Sequence, residues 1–184
     1  MTFFIYFLLA HFIADYPLQS SKLVQLKTQH YWGVFIHGII HLSVMLIVLY
    51  PLLYSRQAWV GIAIVYLTHN LIDQTKVQLD KMNPDKARFL YFLDQFLHWS
   101  IIAGVSYYVG NITPHLSIQW AELYLNRTLV LYLFCMVLAT YFYDVTRYFV
   151  RLKSVQVPYQ RDYKTMFRNG LIVTVAFGVS GWMN

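Results

Sequence analysis

Four pairs of ionisable residues recur four positions apart in this chain: His11 with Asp15, His37 with His41, His69 with Asp73, and Asp94 with His98. On a helix that spacing places both side chains on one face, about one turn apart. The pairs use five of the seven histidines and three of the eight acidic residues. Random scattering of these residue types would yield on the order of one such pair. Imidazole suits Zn, Fe and Mn, and carboxylates can bridge or neutralise cations. His11, Asp15, His37, His41, His69, Asp73, Asp94 and His98 are therefore candidate ligands for a divalent transition metal, with Zn first and Mn or Fe behind it. Four ligands serve one tetrahedral zinc, so eight candidates suit one or two ions, with some pairs in an outer shell. Asn70, Gln74 and Gln95 each adjoin a candidate, where they can orient ligands, bind substrate or simply face the membrane interface.

The elements that must position these pairs are apolar. Hydrophobic residues make up 58% of the 184, charged residues only 12%, and the mean hydropathy is +0.46. Soluble domains average roughly 25% charged residues, so a water-soluble enzyme, a disordered regulator and a secreted disulfide scaffold are all excluded. The single cysteine, Cys135, lies in an apolar run. No Lys or Arg precedes the first apolar stretch, so a cleaved signal peptide is not expected. Six apolar stretches follow, at about Phe3–Tyr16, Val34–Tyr54, Trp59–Asp73, Phe89–Val109, Leu125–Val150 and Phe167–Met183. The expectation is an all-α, polytopic helical bundle of about six transmembrane helices, forming one integral membrane domain over 1–184. Within it, 1–54 and 59–109 read as two hairpins carrying the site, and 120–184 as a C-terminal helical pair.

Charge sets the orientation. Alternate connections hold twelve and two of the Lys and Arg residues, and the richer set belongs in the cytoplasm. Both termini are then outside. The inward-running spans carry their pairs near their C-terminal ends and the outward-running spans near their N-terminal ends, so all four pairs share one depth toward the cytoplasmic leaflet. The register also repeats, 26 residues from His11 to His37 and 25 from His69 to Asp94. That pattern reads as a duplicated hairpin, a four-helix metal-binding core made of two copies.

The competing reading of the four pairs is a metal-free network of His–Asp hydrogen bonds between helices. Such contacts average about 0.6 kcal/mol in membranes, a small return for ionisable groups that cost roughly 2.5–3.5 kcal/mol each to insert. Outside the pairs, His30, His115, Asp80, Asp85 and Asp162 read as solvated loop residues, and Asp144 as the i, i+3 partner of Arg147. No phosphate-binding Gly loop, Ser-His-Asp order or Cys-x-x-Cys motif occurs.

The motifs His11-x3-Asp15-Tyr16-Pro17-Leu18-Gln19, His37-Gly38-x2-His41, His69-x3-Asp73-Gln74 and Asp94-Gln95-x2-His98 resemble those of a bacterial membrane-protein family, domain-of-unknown-function family 3307. The resemblance covers roughly residues 5–110. It implies a helical protein of the bacterial cytoplasmic (inner) membrane and carries no activity with it. The chain is more loosely similar to bacterial inner-membrane proteins described as metal-dependent hydrolases. His69-Asn70-x2-Asp73 also resembles a stretch of the ZIP metal transporters, whose second, histidine-rich signature is missing here.

The functional expectation is a membrane-embedded metal-dependent hydrolase acting on a phosphoester or lipid-type substrate at the cytoplasmic leaflet. Asp15, Asp73 and Asp94 serve as ligands, bridges or general base, and the expected partners are the bilayer and a small-molecule or lipid substrate, not nucleic acid. Two alternatives use the same residues: a di-iron membrane oxidoreductase, and a divalent-metal transporter or sensor.

Overall fold

The computed structural model describes residues 3–152 and 159–182, and every regular element among them is helical. Lys153, one of the twelve basic residues counted in the richer connections, lies outside these residues, as does Met183 at the end of the sixth apolar stretch.

Helix α1 (Phe4–Asp15) ends where the sequence makes it end. Pro17 lacks an N–H and disfavours helical geometry at Tyr16 before it. The freed carbonyls find partners: the Gln19 amide donates to Asp15 O at 3.2 Å, and the Arg161 guanidinium reaches Tyr16 O at 2.9 Å and Gln19 O at 3.1 Å. Ser20 then caps a short second helix, α2 (Ser21–Gln29), accepting from Leu23 N. Helix α3 (Tyr31–Val48) follows after His30.

A short turn at Tyr50–Leu52 leads to α4 (Arg56–Met82), capped by Ser55. With 27 residues it is about 40 Å long, well beyond the expected Trp59–Asp73. The extension carries Gln74, Lys76, Gln78 and Asp80, so it continues as helix after the apolar run has stopped. Asn83-Pro84 ends it, and α5 (Ala87–Tyr108) returns.

Helices α1, α3, α4 and α5 pack in a closed ring, each against the next and α5 back against α1. One end of the ring is filled by Phe7, Met45, Leu49, Leu52, Ile62, Ile102 and Val109, all buried. The other end holds the ionisable pairs. Small residues set the spacing. A Cβ at Gly61 would lie 2.9 Å from Val105 Cγ1, and one at Gly38 would collide with the Asn70 amide.

The C-terminal part contains α6 (Ile118–Tyr124), α7 (Arg127–Val137), α8 (Tyr143–Arg151) and α9 (Tyr163–Trp182). A π-helical turn at Leu138–Phe142 joins α7 and α8 into one continuous helix. Asn169 of α9 donates to Ala139 O inside this turn at 2.8 Å, satisfying a carbonyl of the widened ladder. α7 packs on α1 and α8 on α5, with α9 behind them. Helix α2 and α6 had no counterpart among the apolar stretches.

Among the described residues two helices are long and apolar enough to cross a membrane, Tyr31–Val48 and Arg127–Arg151. Helices α4 and α5 carry the ionisable pairs and polar ends that dilute their hydropathy, and α1 is only 12 residues long.

Candidate metal centre

All eight candidates converge inside the four-helix ring, and none of their side chains is more than 8% exposed. The i, i+4 spacing works as expected because each helix turns its pair toward the bundle axis.

Asp15 is the hub of the first hairpin. Its Oδ1 lies 2.8 Å from His41 Nε2 and 3.0 Å from His37 Nε2, and its Oδ2 lies 3.2 Å from His11 Nε2. Asp73 is the hub of the second. His98 Nε2 is 3.5 Å from its Oδ1, while His37 Nε2 and His69 Nε2 are 3.6 and 3.7 Å from its Oδ2. Asp94 Oδ1 lies 3.4 Å from His98 Nε2. The rings of His41 and His69 stand 3.7 Å apart, and those of His69 and His98 4.4 Å. Among the described residues two groups have ligand atoms close enough together to hold an ion: Asp15, His37, His41 and His69, and separately His69, Asp73 and His98.

The donor chemistry fits a cation. His11 Nδ1 and Nε2, His37 Nδ1, His69 Nε2, Asp94 Oδ1 and His98 Nε2 are buried polar atoms without a hydrogen-bond partner. Several of them sit within ion-pair distance of a carboxylate yet are not aligned for a hydrogen bond, as His11 Nε2 is with Asp15. Buried polar groups are normally satisfied, and an orphaned one costs about 1–3 kcal/mol. Coordination to a cation is one way to satisfy buried lone pairs of this kind. The buried His and Asp groups could hold a metal ion.

An outer layer locks the carboxylates. Gln95 Nε2 donates to Asp94 Oδ2 at 3.0 Å and reaches Asp15 Oδ2 at 3.5 Å. Gln95 Oε1 in turn accepts from Tyr16 OH at 2.9 Å, and Tyr16 meets Tyr91 OH, which meets Thr146 of α8 at 2.9 Å. Of the three amides named from the sequence, Gln95 thus orients ligands. Asn70 instead donates to Tyr66 O and packs on Gly38.

Lys27, one of the Lys and Arg residues of the basic connections, has a part in the site that its charge alone does not announce. It bonds Asp73 Oδ2 from α2 with its side chain 13% exposed. The signal was present in the Ser20 cap and in Leu23, the buried residue one turn before Lys27 on the same face of α2. Asp144 stands apart from the site: Arg147 lies 3.6 Å from it, as the spacing suggests, and Tyr159 OH donates to it at 2.6 Å. Asp162 pairs with Arg147 at 2.6 Å and Asp80 with Lys76 at 2.7 Å, so both are partly exposed surface charges, each with an ion-pair partner. His30 and His115 are exposed.

The fold and site define an all-helical protein with a buried His/Asp cluster at one end of a four-helix ring. The chain belongs to the family described as "Protein of unknown function (DUF3307)", whose model matches residues 3–128. The match takes in every member of the cluster and runs past the expected 5–110 into the start of α7. No curated protein and no solved structure matches the chain.

Proposed function

We propose that this protein is a metal-dependent hydrolase embedded in the bacterial cytoplasmic membrane, acting on a phosphoester or lipid-type substrate at the cytoplasmic leaflet. The observation that carries it is the convergence of eight buried His and Asp side chains, six of which form groups with ligand atoms close enough to hold an ion and five of which carry unpartnered polar atoms. Six membrane passes, a duplicated hairpin and both termini outside are part of the same proposal. Its support is an inside-out distribution of polarity: Ile47, Leu71, Phe96, Phe167 and Ile172 are exposed on the outside of the bundle while the ionisable groups lie within.

His37, His41, His69 and Asp15 hold the ion, for which imidazole and carboxylate favour Zn, with Mn or Fe behind it. A bound divalent cation lowers the pKa of a coordinated water toward about 7 and polarises a phosphoryl or acyl oxygen. Asp73 and Asp94 flank His98 and handle the proton of the attacking water. Gln95 keeps Asp94 and Asp15 fixed in angle. The basic residues of the cytoplasmic connections suit a phosphorylated headgroup.

The test is turnover by Zn- or Mn-loaded protein against a panel of phosphoesters and phospholipids. Hydrolysis that falls by at least about a hundredfold in Asp94→Asn, with metal content kept, is expected. Lack of turnover across the whole panel overturns the hydrolase reading.

A further inference from the structure

The two candidate ion groups are unequal in a way that bears on how many ions the site takes. They share His69. A neutral imidazole has one lone pair, so His69 serves one ion at a time. The group around Asp15 has four members within reach of one another, while the group around Asp73 without His69 keeps only Asp73 and His98, with Asp94 beside them.

The second difference is Lys27. Its ammonium sits on Asp73 Oδ2, delivered from outside the four-helix ring by α2. The placement is built: a Cβ at Gly33 of α3 would collide with the backbone of Leu26 and Lys27, so glycine there is what lets α2 lie against α3. Among the described residues no Lys or Arg makes an ion pair with Asp15 or Asp94, which are met by histidines instead.

The charges then close. Asp15, Asp73 and Asp94 bring three negative charges into a site where uncompensated charge is costly. One dication and the Lys27 ammonium together bring three positive charges to them. A second dication beside Lys27 would leave the site strongly positive.

We infer that the site takes a single divalent ion, at Asp15, His37, His41 and His69, and that Lys27 is a built-in cation occupying the second position on Asp73. The inference rests on the metal reading proposed above and goes beyond it by assigning the stoichiometry and the residue that sets it. Lys27 is a positioning and selectivity residue: it neutralises Asp73 and keeps that carboxylate from recruiting a second ion. In Lys27→Met, Asp73, His98 and Asp94 become free to bind one.

The test is elemental analysis of the full chain in detergent, equilibrated with Zn2+ and passed over a desalting column. One equivalent in the native protein and in Lys27→Arg, rising to two in Lys27→Met and returning to one in Lys27→Met/His98→Ala, is the expected result. Two equivalents in the native protein, or one in Lys27→Met, overturns the inference and leaves the metal reading standing. No zinc in any form overturns the metal reading itself. Should Lys27→Met fail to fold, the native protein loaded with Mn2+ decides: the magnetic resonance spectrum of an isolated ion is expected, and that of an exchange-coupled pair overturns the inference.

Discussion

The two hairpins that build the site carry their ligands in nearly the same register but treat the chain beyond them differently. In the second, α4 runs on unbroken from Asp73 to Met82 before turning at Asn83-Pro84. In the first, Pro17 stops the helix directly after Asp15, and the polar residues that follow form the separate helix α2, folded back against α3. Breaking the helix frees α2 to swing Lys27 across to the other hairpin's carboxylate. Similar pairs thereby acquire different surroundings: Asp15 is met by three imidazoles, and Asp73 by an ammonium as well as imidazoles. The lesson is that ligand spacing alone does not set a carboxylate's role; the piece of chain just past it does.

The sharpest way to break that contrast is to neutralise each hub in turn. Asp15→Asn is expected to weaken metal retention by more than about a hundredfold, beyond the 10–100-fold that outer partners cost. Asp73→Asn keeps its ion to within about tenfold and instead loses about 1–3 kcal/mol of stability, because Lys27 is left without its charged partner. Chelator competition and denaturant unfolding of the two variants read these out. Equal metal loss in both would erase the asymmetry.

Next in size is the seat of α2. Gly33→Ala forces α2 off α3, at a cost of about 1–3 kcal/mol typical of overpacking. It is expected to lower the melting temperature in detergent and, by withdrawing Lys27, to raise the zinc content toward that of Lys27→Met.

The smallest effect concerns the strap that only the first hairpin needs. Arg161 caps the carbonyls exposed at the Pro17 break, and it is presented by a segment anchored through Asp162. The hydrogen bond from Arg147, with the backbone N–H and hydroxyl of Thr165 beside it, holds the Asp162 carboxyl below the usual carboxylate range. A carboxyl depressed on folding adds stability above its unfolded value of about 3.9 and surrenders it as pH falls through the folded one. Acidification below about pH 4 should therefore loosen amide protection around residues 16–20 before that of α4 and α5 in hydrogen exchange. Arg147→Met should remove most of that difference.

The four pairs were legible because helical spacing is rigid and because ionisable groups stand out in apolar runs. The pairs do share one end of the ring, at positions near the C-terminus of α1 and near the N-termini of α3 and α5. Closure of the ring, α5 against α1, was not written in any local pattern, since it depends on helix packing across the bundle. Helix α2 and the end of α4 escaped for a different reason. Both are polar on most of their surface, so a reading tuned to apolar runs stops at Tyr16 and at Asp73. Lys27 escaped with α2: a lysine in a basic connection is satisfied by topology alone, and only the fold shows that its stem lies along the protein and its head on Asp73. The strap from Arg161 spans more than a hundred residues of sequence and leaves no spacing to detect.

The π turn at Leu138–Phe142 has a bearing on what length changes this chain can absorb. A wider turn takes up one residue without advancing the helix around its axis, so the face presented by α8 is the face it would show with one residue fewer. Dropping a single position inside that turn would leave Thr146 toward Tyr91 and Asp144 toward Tyr159. The same deletion a few residues downstream would swing everything after it by about 100° and carry the rest of α8 away from α5.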